Sequence, residues 1–326
     1  MEINDKKMDG LKAMALASME AHLVPGAEIA LIKGGQLVHT DAYGMADTVL
    51  GRPMTTRTHV EAASLTKPVF GYLVLKYARE GQLDLDRPLC EYLDQGAPTE
   101  DPRFGAVTAA MALSHATGLP NWGDAPLPLA FAPGEGFLYS GKAYTWLQQC
   151  VEKIMGQRLD LLLSEDLFAP LGMADAAMIW TGPLSRTYAR SYDEQGQVEP
   201  LRISCRHEVA PEPNAAFSLY VTVEDYARFL LHLLQDKETV DMIRSVSNPA
   251  RGPVSWGLGW GRYQNLLWHW GDNGGFKSLV LIDPETGDGF LMHTNGYNGL
   301  EVCFETAACI TGLDLTAIAD MIANAE

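Results

Sequence analysis

The sequence predicts an α/β protein of the α+β type: a mainly antiparallel sheet flanked by helices and interrupted by a long, mostly helical insert. Three observations carry this. Two short runs, 27–33 and 36–44, flank Gly34-Gly35 and read as a β-hairpin. Strand signals cluster again at 254–263, 266–271, 277–283 and 288–295, with tight turns such as Pro284-Glu285-Thr286-Gly287, so these strands should pair antiparallel. From about residue 84 to 210, strand-like alternation is scarce and helical pieces alternate with Pro/Gly-rich loops. Residues 1–83 and 211–326 then form the α/β body, and 84–210 the helical insert.

Taken in order, residues 8–23 place Met8, Leu11, Met14, Ala15, Leu16, Met19 and Leu23 at helical spacing, and Pro25-Gly26 stops that helix. After the hairpin, Val60-Glu61-Ala62 is a brief extended approach to a helix that runs to about Glu80 and ends at Gly81. Within the insert, 111–120 reads as a helix closed by Gly118 and Pro120, 120–136 as a loop, and 144–155 and 159–168 as helices. Thr222-Val223-Glu224-Asp225 has the spacing of a capping box before the apolar helical run 226–234. Residues 299–324 close the chain as one helix.

The 326 residues are 47% hydrophobic and 20% charged, ordinary for a globular protein, with a net charge of −17. That charge disfavours nucleic acid and anionic membrane surfaces, which both require a basic footprint. No stretch reaches the length of a membrane span, and residues 1–24 hold no apolar signal-peptide core. Cys90, Cys150, Cys205, Cys303 and Cys309 are odd in number, scattered, and form no C-x-x-C pair. Neither a disulfide framework nor a metal site is expected, and a cytoplasmic location is. No cofactor is expected.

Chemistry concentrates in Ala63-Ser64-Leu65-Thr66-Lys67-Pro68. Ser64 is the only serine with a lysine three residues later. At the mouth of a buried helix, a serine sits beside unpaired N–H groups that can stabilise an oxyanion. Lys67, one turn inward on the same face, is crowded by apolar neighbours, loses its proton readily, and can activate the hydroxyl. The plainer alternative is that Ser64 only caps the helix. Two further clusters stand out. Tyr139-Ser140-Gly141-Lys142 ends a Gly-rich loop, and Tyr139 is either a packing residue or a proton shuttle with a pKa lowered by lysine cations. Trp268-His269-Trp270-Gly271-Asp272 places a histidine and a glycine at a strand end, where a substrate could approach the backbone. Residues 136–142 also fit the first seven positions of a P-loop, but Ala143 stands where the metal-holding hydroxyl belongs and a turn precedes them. No G-x-S-x-G, H-E-x-x-H or G-x-G-x-x-G occurs.

Taken together, Ser64-Leu65-Thr66-Lys67, Tyr139-Ser140-Gly141 and His269-Trp270-Gly271 follow the order of the penicillin-recognising serine hydrolases. The chain resembles the branch holding class C β-lactamases, D-alanyl-D-alanine carboxypeptidases and related esterases. Connecting phrases such as Leu113-Ser114-His115-Ala116-Thr117-Gly118-Leu119-Pro120 and Gly257-Leu258-Gly259-Trp260-Gly261 extend the likeness to nearly the whole chain. The resemblance implies a β-lactamase/transpeptidase-like fold with the site between sheet and helical region. It implies Ser64 as acylated nucleophile, Lys67 as base, Tyr139 exchanging protons with it, and His269 positioning or polarising substrate and Tyr139. The N–H groups of Ser64 and Asp272 would form the oxyanion hole. Two departures matter: Gly141 stands where relatives often carry an amide-touching Asn, and His269-Trp270-Gly271 replaces the Lys-Thr-Gly of many β-lactamases.

Gly141, Lys142, Trp122, Gly271 and Phe276 are the candidate substrate contacts. Trp256, Trp260 and Phe276, with the loop 120–133, line an apolar pocket or belong to the core. The expected function is a serine hydrolase acting on a small-molecule ester or amide, with esterase ahead of D-amino-acid peptidase, and peptidase ahead of β-lactamase. Acyl transfer to an acceptor other than water uses the same acyl-enzyme. A catalytically silent ligand-binding protein is the alternative of another class.

Overall fold

A computed structural model describes residues 1–93, 98–182, 184–200 and 212–325. Eleven strands are described: β1 Gly26–Lys33, β2 Gln36–Asp47, β3 Arg52–Pro53, β4 Val60–Glu61, β5 Tyr220–Val221, β6 Asn248–Arg251, β7 Val254–Trp256, β8 Gly261–Tyr263, β9 Leu266–Asn273, β10 Phe276–Asp283 and β11 Asp288–Thr294. Nine of them form one sheet in the order β3-β2-β1-β11-β10-β9-β8-β7-β6, while β4 and β5 pair separately. Every ladder is antiparallel. The β1–β2 hairpin turns at Gly34-Gly35, both at positive φ, where a side chain would be strained.

Alternation divides each central strand between two faces. Ala27, Ile29, Leu31, Leu279, Leu281, Phe290 and Met292 face the terminal helices Leu11–Ala21 and Gly299–Thr311. Ala30, Ile32, Val280, Ile282 and Leu291 face the core that holds helices Thr66–Arg79, Gly141–Met155 and Val223–Gln235. Covered on both sides, β10 is buried throughout, which is why its sequence reads as a nearly unbroken apolar run. Among the described residues of 84–210, the elements are helices, turns and isolated bridges. Leu89, Leu113, Tyr144 and Leu147 of this segment share one core with Val69, Phe70 and Leu73 of the Thr66–Arg79 helix.

Several boundaries differ from the sequence reading. The signal at 254–263 is two short strands, β7 and β8, because residues 257–260 bend inward: a Cβ on Gly257 would sit 2.2 Å from the Ile243 carbonyl. The expected closing helix 299–324 is broken into Gly299–Thr311 and Thr316–Ala323 by Gly312, which caps the first in the left-handed region. The first helix is shorter, Leu11–Ala21, preceded by a single turn Asp5–Met8, and the helix expected at 111–120 is Ala109–Leu113. Helix Lys237–Ser245 and strand β6 had no clear sequence signal. Thr222 does cap its helix, its hydroxyl accepting the Asp225 N–H at 3.2 Å. No described helix is long and apolar enough to cross a membrane. Cys90, Cys150, Cys303 and Cys309 are free thiols, and Cys205 lies outside the described residues.

Candidate active site

Ser64 sits in a 3-10 turn, Ala63–Leu65, which feeds directly into helix Thr66–Arg79. Ala63 adopts φ +51, a left-handed conformation that costs a non-glycine residue about 1 kcal/mol. The surroundings hold it there. Ala62 N–H donates to Leu219 O at 2.8 Å, Thr66 Oγ1 donates to Ala63 O at 2.7 Å and accepts from Leu219 N–H at 3.1 Å, and Tyr226 Oη donates to Leu65 O at 3.0 Å. The turn is thus clamped by the segment leading into helix Val223–Gln235, and Ser64 is left half-buried at its tip.

Lys67 is 1% exposed. Its Nζ donates to Ser64 Oγ at 3.0 Å and to the Ala216 carbonyl at 2.9 Å. It lies 4.7 Å from the centroid of the Tyr139 ring and 5.6 Å from that of Tyr144. No described carboxylate pairs with it, so burial dominates and lowers its ammonium to about 7. A substantial fraction of Lys67 is therefore a neutral amine at neutral pH, within hydrogen-bond reach of a serine hydroxyl.

Tyr139 lies against this pair. A pKa lowered by lysine cations was one of the two alternatives read from sequence, and the structure shifts the phenol the other way. Burial pushes the phenol well above its ordinary value, and the neighbouring Ser64 offsets only part of that. Its hydroxyl makes no fully formed hydrogen bond with a described residue. Tyr139 is a neutral phenol, suited to donating a proton rather than resting as a phenolate.

His269, on β9, is fully buried. Its Nδ1–H donates to Trp270 O at 2.8 Å, which leaves Nε2 with the lone pair. Burial, with the Lys67 charge nearby, lowers its pKa to about 3, so it is neutral. Its ring centroid lies 6.2 Å from that of Tyr139. The strand beneath it is open on one side: β8 pairs with β9 only as far as Trp268. The nucleophile turn takes the vacated edge, and a Cβ on Gly271 would come within 2.4 Å of the Ala62 carbonyl. Glycine at 271 is what lets the turn and the strand touch. Asp272 follows at the strand end, its carboxylate paired with Lys277 at 2.5 Å.

Gly141 begins helix Gly141–Met155 directly after Tyr139 and Ser140. Its N–H donates to Asn121 Oδ1 at 2.8 Å, and Lys142 N–H donates to Asn121 O at 3.1 Å. The Trp122 indole lies over Gly141. The P-loop reading finds no support in this geometry, because Ser140 Oγ caps the helix by accepting Ala143 N–H at 3.0 Å. Phe276 does not join this group. It is buried against Tyr188, with ring centroids 5.4 Å apart, in a separate cluster. Trp256 and Trp260 are likewise core residues, and Trp256 packs beneath both Tyr139 and His269.

Three contributors escaped the sequence reading. His115, at φ +55, packs its ring against Tyr139 at a tilt, with centroids 4.3 Å apart, and accepts Ser140 N–H on Nδ1 at 3.1 Å, fixing the tyrosine loop. Glu61, buried, accepts from Tyr188 Oη at 2.9 Å and Asn273 Nδ2 at 2.6 Å, tying the end of β9 to the approach to Ser64. Ala216 contributes only its carbonyl. Glu61 could have been suspected, as a lone carboxylate in an apolar approach; a backbone carbonyl leaves no trace in sequence.

Comparison with known proteins agrees with this geometry. The Beta-lactamase family model matches residues 11–306. The chain is 29% identical to Esterase EstB of Burkholderia gladioli, over 82% of this chain and 78% of that one. It is 22% identical to Protein flp of Staphylococcus aureus strain MW2, over 83% of this chain and 60% of that protein. Two solved structures share the fold. D-alanine carboxypeptidase AmpC from Burkholderia cenocepacia superposes with a TM-score of 0.79 at 19% identity, covering 93% of this chain and 99% of that one. The octameric penicillin-binding protein homologue from Pyrococcus abyssi gives 0.78 at 21% identity, covering 94% and 78%. The chain therefore belongs to the beta-lactamase family of serine hydrolases.

Proposed function

We propose that the protein is a carboxylesterase-like serine hydrolase that cleaves small esters through an acyl-enzyme. The observation that carries this is the 3.0 Å contact between Lys67 Nζ and Ser64 Oγ, with Lys67 buried and its pKa brought to about 7. In this reading neutral Lys67 takes the Ser64 proton as Oγ attacks the ester carbonyl. The Ser64 and Asp272 N–H groups receive the developing oxyanion. Tyr139, kept protonated by burial, passes its proton to the leaving alkoxide and is reprotonated from Lys67. His269, neutral and buried behind Tyr139, holds the ring in place. Water then repeats the sequence on the acyl-enzyme. Gly141, which has no side chain for an amide, and the likeness to an esterase favour ester over peptide or β-lactam substrates. The scattered cysteines favour a cytoplasmic location, which cell fractionation checks.

The test is hydrolysis of p-nitrophenyl acetate by wild type and Ser64→Ala, beside nitrocefin and a D-alanyl-D-alanine peptide. We expect ester turnover that falls roughly 1,000-fold or more in the variant, and little turnover of the other two. Equal rates in both proteins would overturn the nucleophile, and no turnover of any of the three substrates by wild type would favour a silent ligand-binding protein. Faster peptide or nitrocefin cleavage would reverse the substrate order.

A further inference from the structure

One aromatic ring lies over the tyrosine loop, and another directly follows the lysine's carbonyl anchor. A Cβ on Gly141 would lie 2.5 Å from Trp122 Cη2 and 2.7 Å from Cζ2, so the indole occupies the space a side chain at 141 would need. Trp122 is 48% exposed, unusual for a tryptophan held against the backbone. It is anchored from below, because residue 121 accepts the N–H groups of both Gly141 and Lys142. Its ring meets that of Phe217 edge-on, with centroids 5.7 Å apart and planes at 73°. Phe217 directly follows Ala216, whose carbonyl holds Lys67 Nζ. One ring thus lies over the residue two positions after Tyr139, and the other stands one position after the lysine's anchor.

We propose that Trp122 and Phe217 form the acyl-recognition wall, and that it selects esters of planar apolar acids, of the arylacetic type. This deepens the esterase reading and rests on it. An indole and a phenyl ring set edge-on offer a flat apolar face and an edge, the two arrangements a third aromatic ring prefers. The same indole fills the space a polar side chain at 141 would need, so no hydrogen-bonding group is offered there. The wall therefore favours a flat ring joined through carbon over an acylamino chain.

The experiment compares p-nitrophenyl phenylacetate with p-nitrophenyl acetate, which share a leaving group, each rate divided by its hydroxide rate. Wild type should prefer phenylacetate by roughly tenfold in kcat/KM. Trp122→Ala should collapse that ratio about tenfold, and Trp122→Phe should restore most of it. Gly141→Ala, whose new methyl must displace the indole, should lower the ratio as well. A ratio unchanged in Trp122→Ala and in Phe217→Ala would overturn the wall. Ser64-dependent acetate hydrolysis without a phenylacetate preference would remove this inference and leave the esterase reading standing. Ester turnover that survives Ser64→Ala would remove both.

Discussion

Ser64, Lys67 and Tyr139 gather along β9 beyond the point where its ladder with β8 ends. On the next strands, Ser278 on β10, His293 on β11 and Glu28 on β1 stand side by side, with Ser278 directly opposite Gly271. The second group has the residue types of a hydrolase triad, and Ser278 Oγ lies 2.7 Å from His293 Nδ1. Burial favours the uncharged forms of His293 and Glu28. It lowers His293 to about 3 and pushes Glu28 well above the usual carboxyl range, partly offset by the Val223 backbone. Composition and pKa do not separate the two; access and backbone do. Ser64 is half-buried on a strained turn beside an open strand edge, whereas Ser278, His293 and Glu28 lie sealed under helix Val223–Gln235. A nucleophile needs a face from which a carbonyl can arrive, and only one of these serines has it.

Replacing Lys67 tests the difference most strongly. Lys67→Met should lower kcat roughly 1,000-fold and raise the melting temperature by about 5 °C at pH 6. The sign follows from linkage. The folded pKa of about 7 lies below the ordinary 10.5, so the cost of burying the charge is fully present below pH 7. It shrinks from pH 7 to 10.5 as the folded state releases its proton, so the variant's advantage should fade over that window in calorimetry. For the same reason, wild-type kcat/KM should climb with pH up to about 7 and level off above it.

Glu28→Gln should have a smaller effect, confined to stability. The raised folded pKa makes wild type lose stability as pH rises above the unfolded carboxyl value, because the native state must hold a proton that the unfolded chain has released. Glutamine removes that slope, so the gap in melting temperature should widen as pH rises above the unfolded carboxyl value, while ester turnover stays within about twofold. If turnover fell instead, that row would be coupled to catalysis. The smallest change is expected from Ser278→Ala, which removes one buried hydrogen bond worth about 1 kcal/mol. A fluorophosphonate should still add a single adduct, detected by intact mass. A lost adduct in Ser278→Ala, or a retained one in Ser64→Ala, would exchange the roles of the two serines.

Features fixed by local punctuation were legible in the sequence. Gly34-Gly35 marks the hairpin, Gly81 the end of the nucleophile helix, and Thr222 a capped start. What was not legible depends on contacts between distant segments. The break between β7 and β8 follows from Ile243 pressing on Gly257, and the direction of the Tyr139 shift from burial overcoming its neighbours. Trp256 and Phe276 were as plausible in a pocket as in a core until packing decided the matter. Gly312 is a different case. A glycine in a helical run was readable as a cap, and the apolar spacing on either side of it suggested continuity instead.

The hydrogen bonds that assemble the site join residues far apart along the chain. Lys67 reaches a carbonyl 149 positions away, and Glu61 is tied to a side chain 212 positions away. Closing spans of that length costs chain entropy that no single helix or hairpin repays. Catalytic competence therefore arrives with the last long-range contacts rather than with secondary structure. Turnover makes a stricter gauge of correct folding in this molecule than helical content does.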